Sequence, residues 1–186
     1  MKKTIYVLLT RSGTWISKII HWTTADAYTH ASIAFDESLQ PLYSFSRRFV
    51  NLPLPAGLRM EPLDHGFYKK HAAIPCALYE LHVEDHVYEA VRQEVSRMMA
   101  DAPHYRFNLL GLLLCRLNIP FHRAHHFFCS EFVSEVLHRG HALKLPKDTS
   151  LMRPNDYTRL PELKCRYQGT LCHIIHHHLP KEVCIS

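Results

Sequence analysis

Phe127-Phe128-Cys129-Ser130-Glu131-Phe132-Val133 runs from an apolar, strand-like approach into a helical pattern and leaves one thiol at the junction. Phe132, Val133, Val136 and Leu137 recur at intervals of three and four, so they form one buried stripe of a helix whose first turn carries Cys129. A helix start has backbone N–H groups without intrahelical partners and the positive end of the helix dipole, and both favour thiolate over thiol. A cysteine at that junction therefore has the setting of a nucleophile. Position alone leaves a second reading open, because free cysteine is among the most buried residue types and apolar burial raises a thiol pKa.

A nucleophilic cysteine needs a base. In Tyr28-Thr29-His30-Ala31-Ser32-Ile33-Ala34-Phe35-Asp36, apolar Ala31, Ile33 and Phe35 alternate with His30, Ser32, Ala34 and Asp36, which is the period of a strand with one buried face. His30 opens that strand. A histidine fixed on a strand beside a cysteine at a helix start is the thiolate–imidazolium arrangement of cysteine hydrolases, in which geometry is kept while sequence order varies. The chain holds 16 histidines, so the type alone does not single out His30.

The segments Tyr28-Thr29-His30-Ala31-Ser32-Ile33, Tyr43-Ser44-Phe45-Ser46-Arg47 and Phe128-Cys129-Ser130-Glu131-Phe132-Val133 together resemble the circularly permuted papain-like proteins of the NlpC/P60 superfamily. That group includes the bacterial permuted amidase-like proteins and the lecithin:retinol acyltransferase family, in which the histidine strand precedes the cysteine helix. The resemblance spans most of the chain, from the first strand to Tyr167-Gln168-Gly169. It implies an α+β fold with an antiparallel sheet packed against helices, Cys129 as nucleophile and His30 as general base. It also implies a polar residue on the next strand, often Glu or His, that orients the imidazole. With 41–46 read as that strand, Ser44 and Ser46 face away from Tyr43 and Phe45, and Ser44 fills the slot. A serine accepts from an imidazole N–H but brings no charge, so it stabilises imidazolium less than a carboxylate does. Asp36 is six residues from His30, about 20 Å along an extended strand, and out of reach. The Cys129 amide is the first candidate oxyanion donor; Tyr28 and Tyr105 are weighed for the second and left as core aromatics.

The activity expected from this set is hydrolysis of an amide bond, peptide or isopeptide-like, through an acyl-enzyme. Two alternatives stand beside it: an acyltransferase or thioesterase acting on lipid-like acyl groups, and a papain-like binding module without turnover. The chemistry needs no cofactor. Cys165, Cys172, His173, His176, His177, His178 and Cys184 lack the paired spacing of zinc ligands, so no metal site is expected.

Composition agrees with one domain over 1–186: 47% of residues are hydrophobic and 21% charged. The net charge of +5 is spread without a long Lys/Arg run, which argues against nucleic acid. Arg47-Arg48 and Lys69-Lys70 read as solvated pairs or the lining of an anionic groove. No run of 18 apolar residues exists and 5–9 lacks the features of a secretory signal, so no stable membrane insertion and a cytoplasmic protein are expected, acting on a small-molecule or peptide-like substrate. In such a compartment the six cysteines imply no disulfide framework.

The remaining pattern predicts strands at 3–10, 30–36, 41–46, 74–83 and 164–171, and helices at 14–22, 84–100 and 109–117. Pro53, Pro55 and Gly57 predict a loop. The run 109–117, Leu-Leu-Gly-Leu-Leu-Leu-Cys-Arg-Leu, is too short to span a bilayer and is expected to pack in the core, with an interfacial contact as the alternative the sequence permits.

Overall fold

The computed structural model describes residues 1–11, 26–49, 52–63, 68 and 73–176. The helix expected at 14–22, the Lys69-Lys70 pair, the side chains of Arg47 and Arg48, and His177, His178 and Cys184 lie outside the described residues. The architecture is α+β. Strands β1 (Lys2–Thr10), β2 (His30–Ala34), β3 (Leu42–Phe49), β4 (Leu52–Glu61), β5 (Pro75–Glu84) and β8 (Lys164–Thr170) form one antiparallel sheet in the order β4-β3-β2-β1-β5-β8. Two short strands, β6 (Arg106–Phe107) and β7 (His126–Phe127), pair in parallel as a separate ribbon. The described helices are α1 (Asp85–Ala100), α2 (Leu109–Arg116), α3 (Cys129–Arg139) and α4 (Leu171–His176).

Both faces of the sheet are covered, which explains why β1 reads as a continuous apolar run rather than an alternation. Ile5, Val7 and Leu9 belong to one core, shared with Val91, Val95 and Met98 of α1 and Phe132, Val133, Val136 and Leu137 of α3. Tyr6 and Leu8 point the other way, into a second core with Ala34, Leu39, Leu42, Leu63, Tyr68, Leu78 and Leu171. The four stripe residues of α3 are fully buried. At about 1.5–3 kcal/mol for each, they fix the helix against the sheet.

Three expectations are corrected. The segment expected to loop at Pro53, Pro55 and Gly57 is part of β4. β4 is an edge strand, one of the places where a residue without an N–H is tolerated in a sheet. The second strand ends at Ala34, two residues early, because the chain turns where Asp36 accepts the Ser38 N–H through its side chain. The third correction concerns 109–117. The helix forms, yet Leu109, Leu110, Leu113 and Leu117 are 41–69% exposed. The inward positions are the small ones, Asn108, Gly111 and Cys115. Asn108 Oδ1 caps α2 by accepting the Gly111 N–H at 2.9 Å. At the other end Asn118 is left-handed (φ 57°), and its N–H and that of Ile119 return to the carbonyls of Cys115 and Leu114. This is a Schellman ending, in which asparagine tolerates a conformation most side chains avoid.

Candidate active site

Each strand and helix that brings a polar group to the site does so for a legible reason. β1 and β2 pair Thr10 with His30, and Ile33 pairs with Tyr43 on β3, so His30, Ser32 and Ser44 share one sheet face, the face opposite α3. Leu42 pairs with Glu61, which adds the last residue of β4 to that face. Cys129 heads α3 and reaches the start of β2, where His30 stands.

The Cys129 thiol hydrogen-bonds the His30 ring and accepts the backbone N–H groups of Ala31 and Ser130. His30 Nε2 lies 3.2 Å from Glu61 Oε2 and 3.3 Å from the Ser32 hydroxyl. Glu61 Oε2 also accepts the Ser32 hydroxyl at 2.9 Å and the Tyr68 hydroxyl at 3.1 Å. Three side chains thus converge on one carboxylate oxygen. Cys129 is 8% exposed, and the His30 and Glu61 side chains are 13% exposed each. The thiol is sheltered from bulk water.

Burial works against every charge in this group, and the charges overcome it by facing one another. Desolvation would lower the His30 pKa, but the Glu61 carboxylate and the Cys129 sulfur raise it to about 10. Desolvation would raise Glu61, but the His30 charge pulls it down to about 2. Burial also pushes the Cys129 thiol up, and the His30 charge and hydrogen bond, with the two backbone N–H groups, bring it below its usual value. Burial alone acts on Cys76, pushed up to about 12, and it dominates at Cys115, pushed up to about 11. The thiolate–imidazolium form is therefore favoured at Cys129 and disfavoured at these other two buried cysteines.

The first turn of α3 is held from two sides. Glu131, 1% exposed, reaches back to accept the Phe128 N–H at 3.2 Å and receives Asn108 Nδ2 at 3.4 Å on the same oxygen. This is the return half of a capping box, because Phe128 has no polar side chain to supply the other half. Burial pushes the Glu131 carboxyl up to about 7. On the far side the fully buried Tyr157 donates to the Ser130 carbonyl at 2.9 Å and shares a 2.7 Å hydrogen bond with Ser134.

Of the residues expected from sequence, Cys129 and His30 meet. Ser44 does not take the slot on the imidazole; Glu61 does. Ser44 is fully buried beside Ser32 and contributes to holding the Glu61 carboxylate ionised, but makes no well-aligned hydrogen bond among the described residues. Register is the cause: the Ile33–Tyr43 pairing sets Ser44 across from Ser32 rather than from His30. Tyr105 packs its ring against Phe45 and Phe127, and Tyr28 hydrogen-bonds Gln168. Glu61, Ser32 and Tyr68 were missed. The signal for Glu61 was the alternation Leu58-Arg59-Met60-Glu61, hidden behind the prolines that suggested a loop.

Compared with family models, curated proteins and solved structures, the chain matches none of them.

Proposed function

We propose that this chain is a cysteine-dependent hydrolase of the permuted papain-like kind, acting on an amide bond through Cys129 and His30. The observation that carries the reading is a thiol lowered, an imidazole raised to about 10 and a carboxylate lowered to about 2, in contact and in series. A structural cysteine gains nothing from such a series, whereas a nucleophile requires it. The order of elements, a histidine strand before a cysteine helix on an antiparallel sheet, supports the same reading.

In this reading the Cys129 thiolate attacks the substrate carbonyl, and the Cys129 amide at the head of α3 faces the developing oxyanion. The His30 imidazolium gives its proton to the leaving amine. The neutral ring then takes a proton from water, which attacks the thioester and frees the acid. Glu61 holds the ring with Nε2–H toward itself and balances the imidazolium charge, with Ser32 and Tyr68 fixing the carboxylate.

The test is the pH dependence of Cys129 alkylation by iodoacetamide, followed by mass spectrometry, beside turnover on a panel of amides and esters. Wild type should alkylate with an apparent pKa well below the ordinary thiol value of ~8.5, and His30→Ala should restore that value and abolish turnover. An ordinary thiol pKa unaffected by His30→Ala would sink the hydrolase reading and leave a binding protein.

A further inference from the structure

The described residues expose seven large hydrophobic side chains, and five of them, Leu109, Leu110, Leu113, Leu117 and Ile119, belong to α2 and the turn that ends it. A surface helix normally turns such residues inward. Here the inward face is Asn108, Gly111 and Cys115, and a Cβ on Gly111 would fall 2.2 Å from Asn108 Nδ2. The helix is capped and closed at both ends, so its outward leucines belong to a formed element rather than to a frayed one.

The charge around this face is one-sided. From 102 to 130 there is no acidic residue, while Arg106, Arg116 and Arg123 and four histidines fall in the same stretch. Arg106 and Arg123 are exposed. The acids that border the stretch are already engaged: Asp101 faces His104, Asp148 faces His122, and Glu131 is buried, 1% exposed, against Asn108 and the Phe128 N–H. A leucine face rimmed by arginine matches a surface that is apolar below and anionic above. It does not match a second copy of itself, because a two-fold contact would set the arginine rims against each other with no acid from this stretch between them.

We propose that α2 seats the protein on an anionic lipid bilayer, its leucines entering the headgroup boundary while Arg106 and Arg123 meet lipid phosphates and carboxylates. The seat lies beside the thiol. β6 and β7 run parallel and lead into Asn108 and Phe128, the residues that open α2 and α3, so the two helices start as neighbours, joined through Glu131. The proposal concerns where the protein works and does not rest on the thiol being catalytic.

The experiment is co-sedimentation of the full chain with phosphatidylcholine vesicles, with and without phosphatidylserine, over a range of salt. Wild type and Cys129→Ala should bind the anionic vesicles alike and release with salt. The triple variant Leu110→Ser/Leu113→Ser/Leu117→Ser, altered only at positions at least half exposed, should lose roughly tenfold or more in binding. Arg106→Gln/Arg123→Gln should lose several-fold on anionic vesicles alone. No sedimentation of wild type, or unchanged binding by the leucine variant, overturns the proposal. Equal binding to both vesicle types overturns the anionic assignment. A dimer seen by light scattering that only the leucine variant dissolves, without vesicle binding, gives the face to a second copy instead.

Discussion

Ser44 and Glu61 lie on one sheet face, and only one of them carries charge to the imidazole. Glu61→Gln keeps the shape of the side chain and removes the carboxylate that His30, Ser32 and Tyr68 all face. It should lower the His30 pKa and raise the apparent alkylation pKa of Cys129 by about one unit or more. Ser44→Ala should leave that titration nearly unchanged, since Ser44 makes no well-aligned hydrogen bond among the described residues. The same pH–rate experiment reads both variants, and a larger shift in Ser44→Ala than in Glu61→Gln would return the third position to the serine. Cys129 and His30 were legible because each sits where a period changes or begins, a local feature. Glu61 was not, because its role is fixed by pairing across β3, and pairing is a property of two segments rather than one.

Among the elements, α3 and α1 were legible from their stripes, since Val91, Val95, Phe132, Val133, Val136 and Leu137 all sit at helical spacing and all are buried. Their junction depends on a residue no stripe predicts. Gly140 ends α3 against α1, and a Cβ there would fall 2.3 Å from Val91 Cγ2 and 2.9 Å from the Val91 backbone. Gly140 has φ −77°, so the cost of an added methyl is crowding rather than backbone strain. Gly140→Ala should destabilise the fold by about 1–3 kcal/mol in urea unfolding, with the m-value unchanged. A neutral result would mean that α1 slides freely. For α2 the sequence pattern misled, because a leucine run reads the same whether its partner is the protein's own core or something outside it.

For the molecule as a whole, the buried Glu131 sets a slope in stability against pH. Its carboxyl is near 4.5 when unfolded and is raised to about 7 when folded, so the folded state holds the proton more tightly. The stability this contributes is complete below pH ~4.5 and is lost as the pH climbs through about 7, an upper limit of roughly 3 kcal/mol. Glu61 acts in the opposite range: its lowered pKa contributes stability above pH ~4.5 that is lost as the pH falls toward about 2. Urea unfolding at pH 5 and pH 8 should therefore show the wild type weaker at the higher pH, with His30, raised from 6.5 to about 10 on folding, adding to the fall above pH 6.5, and Glu131→Gln should reduce that difference without abolishing it. An equal slope in both proteins would show that Glu131 ionises normally.

The carboxylate that polarises His30 hangs from the final residue of an edge strand, β4, whose sheet ladder runs along one side only. Edge segments open at far less than the free energy of global unfolding. Cys129 and His30 are held instead by a helix and an inner strand. Warming therefore acts on the site in two stages. If the β3–β4 hairpin frays first, an intact thiol is left beside a histidine that has lost its counter-charge, and under the proposed function the expected outcome is a loss of turnover below global unfolding that cooling reverses. The lowered pKa of the Cys129 thiol is thereby tied to the breathing of the sheet's margin, far from the cysteine in sequence, and amide exchange along β4 becomes its clock.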